Sequence, residues 1–402
     1  MGAETNTLIG HARVAGANRF WYTCPRKIRS QGGVMNQSVR GILAGVVLLA
    51  GFVVCPAITR GAGRAPQAPS VNPQPCDREC LNGFVDQFLD ALVAHDPSRL
   101  SVTPFVKYTE NGQKLRLGDG FWRSAVKRGA YKFYVDDPDS ENVGFEGTMY
   151  EAGRDNTSDL VLIALRLRIF NRQISEIETI IARGGMATGG AKNLESMGEP
   201  RKPFLEDVPA GERMSRIDLI MTANKYFSGM QQDDGKHDYS FFADDCNRLE
   251  NGMQTTNNPN AMGGATAGGQ PRPAPSPRYD PALHQTMYSA AWSCKDQFQS
   301  GLLHFVTRIR DRRYLIVDRE RGIVFAFAFF DHEAGDTRNF ETPTGDKVTA
   351  GPTTPFTWEI AEIFKITGGQ LHQIEAVLTQ SPYGMGSGWS DFDTSMSDQP
   401  QF

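Results

Sequence analysis

The chain has 402 residues, 40% hydrophobic and 22% charged, which is enough apolar material for a core and excludes wholesale disorder. It is longer than the ~100–200 residues of a usual domain, and much of its 41 Gly and 23 Pro gathers in a few stretches that divide it. A net charge of −4 leaves no basic footprint, so no nucleic-acid partner is expected.

Near the N-terminus, Arg26, Lys27, Arg29 and Arg40 precede an apolar run whose core spans 42–54, followed by Cys55-Pro56-Ala57. A positive region, an apolar region and a small residue form the layout of a secretory signal. Residues 1–57 are therefore expected to be a leader and the product secreted or periplasmic. Uncut, the uncharged run 41–59 is just long enough to span a bilayer, making the leader the only expected membrane contact. Residues 58–75 read as an extended linker.

Of six cysteines, Cys24 and Cys55 belong to the leader and Cys76, Cys80, Cys246 and Cys294 remain. In an exported chain four cysteines suggest two disulfides, with three possible connectivities. The preferred pairing is Cys246 with Cys294, stapling the base of an insertion, which leaves Cys76 with Cys80 at a frayed helix start. Their spacing has no Cys-x-x-Cys, and no metal site is expected.

A first unit over 76–185 opens with a helix, 80–95, carrying Leu81, Val85, Phe88 and Leu92 at helical spacing. Strands and turns follow, ending in a long hairpin of 158–169 and 174–182. Residues 186–213 read as a Gly- and Pro-rich linker. A second unit, 214–384, repeats the order, with a helix at 217–230 and a last hairpin of 357–366 and 371–380. It carries a flexible insertion at 253–290, and the polar tail 385–402 is expected to be disordered.

The units match internally. His95-Asp96 finds His237-Asp238, and Glu110-Asn111-Gly112 finds Glu250-Asn251-Gly252. Residues 131–151 align without a gap on 313–333, setting Asp136 against Asp318 and Phe145 against Phe327. Ile177-Glu178 matches Ile374-Glu375. Asn-Gly between extended segments signals a two-residue turn with both central residues at positive φ, a structural reading of the doubled Glu-Asn-Gly. Helix first and meandering sheet last defines the fold class: α+β, with N-terminal helices packed in a curved antiparallel sheet, twice.

His-Asp-Pro-Ser-Arg-Leu (95–100), Val-Lys-Tyr-Thr-Glu-Asn-Gly (106–112) and Ile-Ser-Glu-Ile-Glu-Thr-Ile (174–180), with the opening helix, resemble the nuclear-transport-factor-two-like (SnoaL-like, ketosteroid-isomerase-like) domains. The resemblance covers 76–185 and 214–382 and implies two cones, each with a pocket between sheet and helices. It is poor in functional specificity, because that superfamily holds isomerases, dehydratases, cyclases, lyases and binding modules. No catalytic set of the superfamily carries over residue by residue.

The last hairpin of the second unit is the most informative for chemistry. Trp358, Ile360, Phe364 and Ile366 make an apolar face interrupted by Glu362; the returning face is interrupted by His372. The two faces coincide only if the connecting turn is an odd-length loop with a Gly bulge. Leu165 and Ser175 stand in those places in the first unit. Glu362 and His372 are thus candidate catalytic residues, with Trp358 and Phe364 as ligand-binding walls. Asp331-His332, at the end of a buried strand, is a candidate acid–base pair. Tyr314 or Tyr108 is a candidate donor to a developing oxyanion. The arginines 308, 310, 312, 313, 319 and 321 read as a solvated sheet face.

No Gly-x-Gly-x-x-Gly, phosphate-loop or Gly-x-Ser-x-Gly pattern occurs, so no cofactor is expected. The leading expectation is an exported protein with a small-molecule pocket. It would perform isomerase-, dehydratase- or lyase-type proton transfer on a small apolar or aromatic ligand. The alternative is a non-catalytic exported ligand-binding or protein-docking module.

Overall fold

The computed structural model describes residues 75–260 and 276–402. The leader 1–57, the linker up to residue 74 and residues 261–275 of the insertion lie outside the described residues.

Asp77 caps the first helix, α1 (Arg78–Val93), by accepting from the Cys80 amide. Strands β1 (Val102–Glu110), β2 (Gln113–Leu115), β3 (Ala125–Asp137), β4 (Asn142–Ala152), β5 (Ser158–Phe170) and β6 (Gln173–Ala182) form one six-stranded sheet in the order β2-β1-β6-β5-β4-β3. Helices α2 (Gly185–Met197) and α3 (Lys202–Leu205) follow. The order then repeats: α4 (Arg216–Gln231), capped by Ser215, then β7 (Phe242–Glu250) and β8 (Met253–Gln254). After the insertion come α5 (Cys294–Gln299), β9 (Arg308–Asp318), β10 (Ile323–His332), a small ribbon of β11 (Asn339–Glu341) and β12 (Lys347–Thr349), and the hairpin β13 (Phe356–Thr367) and β14 (Gln370–Ser381). The second sheet runs β8-β7-β14-β13-β10-β9, the same topology as the first. In each, the first strand pairs parallel with the last and the other pairs are antiparallel. The α+β reading with two units of curved sheet around a helix therefore holds.

Alternation along the strands gives each sheet two apolar faces. One face buries its own helix: Ile360, Phe364 and Ile366 of β13 pack with Tyr226 and Phe227 of α4. The other faces pack against each other, joining Phe133, Leu162 and Ile180 of the first sheet to Phe325, Phe327 and Ile363 of the second. Ion pairs cross this seam. The Arg313 guanidinium donates to both oxygens of Glu178 at 3.0 and 2.8 Å, and Tyr131 donates to Glu375 at 2.6 Å. The helix starts reach across reciprocally. Arg78 pairs with Asp318 of the other unit at 2.5 Å, and Arg216 with Asp137 at 2.6 Å.

Both Asn-Gly turns adopt the expected conformation, with Asn111 at φ +46 and Gly112 at +70, and Asn251 at +48 and Gly252 at +74. Cys246 is bonded to Cys294 and Cys76 to Cys80. The first bridge closes a sequence separation of 48 and the second one of 4. Replacing Cys246 and Cys294 together by serine is expected to cost ~2–4 kcal/mol in urea unfolding, and the equivalent change at Cys76 and Cys80 clearly less. Equal losses would mean that loop closure is not what the longer bridge supplies.

Several expectations are corrected. The linker 186–213 is largely structured: Ala187, Ala191 and Leu194 of α2 and Phe204 of α3 belong to the seam between the sheets. Gly190 permits contact rather than slack, since a Cβ there would sit 1.5 Å from the Asn251 carbonyl oxygen. The tail 385–402 is not disordered. It contains α6 (Phe392–Ser395), receives Arg310 on the carbonyls of Met385 and Ser395, and pairs Gln401 beside Arg313. Trp389 carries it onto the first unit, donating to Thr109 Oγ1 at 2.9 Å.

The arginine run is not a solvated face either: Arg310, Arg312 and Arg313 are buried, on acceptors of the neighbouring strand, α4 and the first sheet. The gapless alignment of 131–151 on 313–333 is one residue out of step. Asp137 pairs with Asn142 and Asp318 with Ile323 at the two strand ends, so Asp318 corresponds to Asp137 and Phe145 to Ala326. A one-residue slip exchanges the faces of a strand.

Candidate functional site

The residues at matching register positions explain why one cone is filled and the other hollow. In the first unit, Tyr108 lies opposite Ile177, and Leu165 lies between Phe145 and Thr179. In the second, Arg248 lies opposite Ile374, and Glu362 lies between Ala326 and Ala376. Phe145, Leu165 and Tyr108 plug the first cone together with Phe121 and Trp122. Their counterparts Ala326, Glu362 and Arg248 exchange aromatic and aliphatic bulk for space and charge.

The result is a cavity of about 210 Å³. Its walls are apolar: Leu303, Phe305, Val306, Phe330, Trp358, Ile360 and Leu378 among them. Tyr226, Arg248, Glu250, Thr255, Tyr288 and Glu362 supply the polar groups. Thr255, Tyr288 and Ala290 come from the described flanks of the insertion, which therefore walls the cavity, with the Cys246–Cys294 bridge at its base.

Glu362 is 1% exposed and its Oε2 has no hydrogen-bond partner among the described residues. Burial pushes its carboxyl up to about 8, and the charge of Glu250 pushes the same way; Arg248 and the Tyr226 hydroxyl oppose. Arg248 is 2% exposed. Its Nε faces Thr255 Oγ1 at 3.4 Å, its Nη2 donates to the Tyr288 hydroxyl at 2.9 Å and meets Glu250 at 3.2 Å, and its Nη1 has no partner among the described residues. Burial pulls the Arg248 pKa down, but Tyr226, Tyr288 and Glu250 outweigh it and hold the group charged. Burial pushes the Tyr288 hydroxyl up to about 12 and that of Tyr226 well above its ordinary range, so both remain donors.

The other expected site residues separate. Trp358 lines the cavity, whereas Phe364 is packed behind it on Tyr226 and Phe227. His372 does not reach the cavity. The hairpin closes through a two-residue Gly368-Gly369 turn rather than an odd-length loop, and the bulge lies within β14, where Lys365 pairs with Gln373 but Ile366 with Leu371. The bulged His372 turns outward onto Asp245 at 2.7 Å and Thr367 at 2.8 Å. Asp331 and His332 are not a pair, because neighbours on a strand point to opposite faces. Asp331 is held by Arg310, Arg308 and Thr357, and these bonds outweigh burial to keep its carboxyl below the usual range. Burial pushes His332 down to about 4; its ring stacks on Phe356 and meets Trp358 edge-on, both with centroids 4.4 Å away. Tyr314 is buried against α4 with its hydroxyl on Asn224 at 2.9 Å. Tyr108 belongs to the first cone, donating to Glu110 at 2.8 Å.

Arg248, Tyr226 and Tyr288 were not singled out from the sequence. A signal for Arg248 exists: holding the two Glu-Asn-Gly segments in register sets it against Tyr108. A larger open cleft of about 680 Å³ lies near the helix starts. Its carboxylates Asp137 and Asp318 are already bound by Arg216, Arg78 and Arg321, so it is a solvated ion-pair cluster rather than an apolar pocket. Among the described residues, no cluster of three or more His, Cys, Asp or Glu is arranged to hold a metal ion. Nor is any described helix long and apolar enough to cross a membrane.

Residues 212–378, essentially the second unit, match the family described as a domain of unknown function, DUF8021. No curated protein is similar in sequence to the chain. Among solved structures, a protein of unknown function with a cystatin-like fold from Methylobium petroleophilum PM1 is similar at 12% identity and a TM-score of 0.23, over 27% of this chain and 80% of that one. AclR, a candidate hydroxylase from Streptomyces galilaeus, is similar at 11% identity and 0.23, over 34% and 92%. A candidate polyketide cyclase from Pseudomonas putida KT2440 is similar at 14% and 0.21, over 25% and 89%. Likeness at this level bears on neither substrate nor mechanism.

Proposed function

We propose that the second cone is the working site of an exported protein, holding a compact apolar or aromatic molecule on which Glu362 transfers a proton. The observation that carries this reading is a buried carboxyl among the residues that wall an apolar cavity. Its pKa near 8 leaves it protonated at neutral pH, so it serves as a general acid there and as a base once ionised. A fixed donor beside it, the Tyr226 hydroxyl, favours negative charge developing on the substrate, while the Tyr288 hydroxyl donates to the Thr255 carbonyl at 3.3 Å. The volume is below the ~300–1,000 Å³ of pockets for drug-sized ligands, which argues for a small occupant. The two disulfides support an oxidising compartment.

Native mass spectrometry of the purified protein, followed by assay of the ligand found, tests the reading. Glu362→Gln is expected to keep the fold and the ligand but abolish turnover, and the wild-type rate should follow an ionisation near pH 8. Unchanged turnover in the variant would leave a binding module as the better account.

A further inference from the structure

Arg248 is unlike the other deeply buried arginines. Arg166 and Arg313 share Glu178, and Arg310 is held by Asp331; both carboxylates are themselves buried. Arg312 spreads its nitrogens over the Ile309 carbonyl, Asn224, Ser228 and Gln231, leaving none free. The one carboxylate on Arg248 is Glu250, whose side chain is 32% exposed and so partly screened by water. Glu362, the other carboxyl beside it, is neutral at pH 7. Arg248 thus lines an apolar cavity with a charged group whose Nη1 has no acceptor among the described residues. An unpaired buried donor costs ~1–3 kcal/mol and more when charged, so the missing partner belongs to whatever fills the cavity.

Resting on the reading of this cavity as a small-molecule site, we propose that its ligand is a compact carboxylic acid. The carboxylate pairs with the Arg248 guanidinium, and the apolar or aromatic body lies against Trp358, Phe330 and Leu378. A carboxylate supplies both the acceptor and the countercharge, whereas a carbonyl or hydroxyl supplies only the acceptor. Tyr108 at the matching position of the filled first cone needs no such partner, because its hydroxyl is already on Glu110.

The test is calorimetric titration at pH 7 of the full chain with matched pairs: benzoate against benzyl alcohol, and hexanoate against hexanol. The carboxylates are expected to bind at least ~10-fold more tightly, a difference of about 1.4 kcal/mol. Arg248→Met should remove that preference, with circular dichroism checking its fold. The wild-type comparison needs no variant, so the proposal stands or falls even if Arg248→Met does not fold. Equal binding of acid and alcohol would overturn the carboxylate assignment and leave the pocket reading standing. Binding of neither series would overturn both.

Discussion

Replacing Arg313 by methionine is expected to lower the unfolding free energy by about 3–5 kcal/mol, the usual cost of stripping one partner from a buried ion pair. Arg313 on β9 donates two hydrogen bonds to Glu178 on β6, and both side chains are essentially out of water. Loss of the guanidinium leaves Glu178 with Arg166 alone and removes the cation 3.5 Å from Asp311. Glu178→Gln strips Arg313 of its bidentate partner while keeping its shape, and is expected to fall in the same range. Changing both, Arg313→Met with Glu178→Gln, should cost less than the sum, because no unpaired ion then remains between the two positions. Urea unfolding of the four proteins measures this coupling. A single-mutant loss under 1 kcal/mol would mean that water reaches the seam.

That prediction concerns a feature the sequence concealed. Strand and helix periodicity made each unit legible, since Leu81, Val85, Phe88 and Leu92 fall on one face of α1, and the Asn-Gly pairs fix two turns. Periodicity describes one element against one neighbour. The packing of the two sheets back to back is a relation between units, and it makes both faces of β9 and β13 buried. Charged residues on such strands then read as a solvated face, although Arg310 is held by Asp331, Arg312 by α4, and Arg313 by Glu178 across the seam. Gly-rich 184–190 read as slack for a similar reason: closeness to Asn251, not flexibility, is what Gly190 supplies.

The candidate site was half legible. Glu362 stood out because it interrupts an apolar face in one copy of a repeat, a comparison that needs only the sequence. His372 met the same criterion and failed, because a bulge changes the facing of one residue without any change in hydrophobic pattern. Arg248 was readable by aligning the turns. Ala326, which opens space beside Glu362, was not, because the gapless alignment set Phe145 against Phe327 instead.

Stability should fall as pH rises from 6.5 to 8, and Glu362 should contribute to the fall together with Glu146, Glu359, Glu375 and Asp233, whose carboxyls burial also raises. Burial raises its carboxyl to about 8 and that of Glu375, on the seam, to about 7. Glu146 is raised well above its ordinary value by burial and by the charges of Glu375 and Glu362, and neither of its oxygens has a partner. Unfolded, such groups ionise near 4.3. The folded state therefore binds more protons between those limits. Their stabilising contribution is complete below the unfolded pKa and is lost as pH climbs through the folded one.

His332 works in the opposite sense: burial holds it down to about 4, so its contribution grows from pH 4 to about 6.5 and is then constant. The carboxylates of Asp318 and Asp331, held below the usual range, act lower still. The window from 6.5 to 8 thus isolates the raised carboxyls. Comparison with Glu362→Gln cancels the His332 contribution at every pH. The variant should gain on the wild type by about 4 kcal/mol between pH 4.5 and pH 8, at ~1.4 kcal/mol per pH unit through the middle of that range. Guanidinium unfolding of both proteins at pH 4.5, 6.5 and 8 measures the difference, and a difference that stays constant would mean that Glu362 ionises in contact with water.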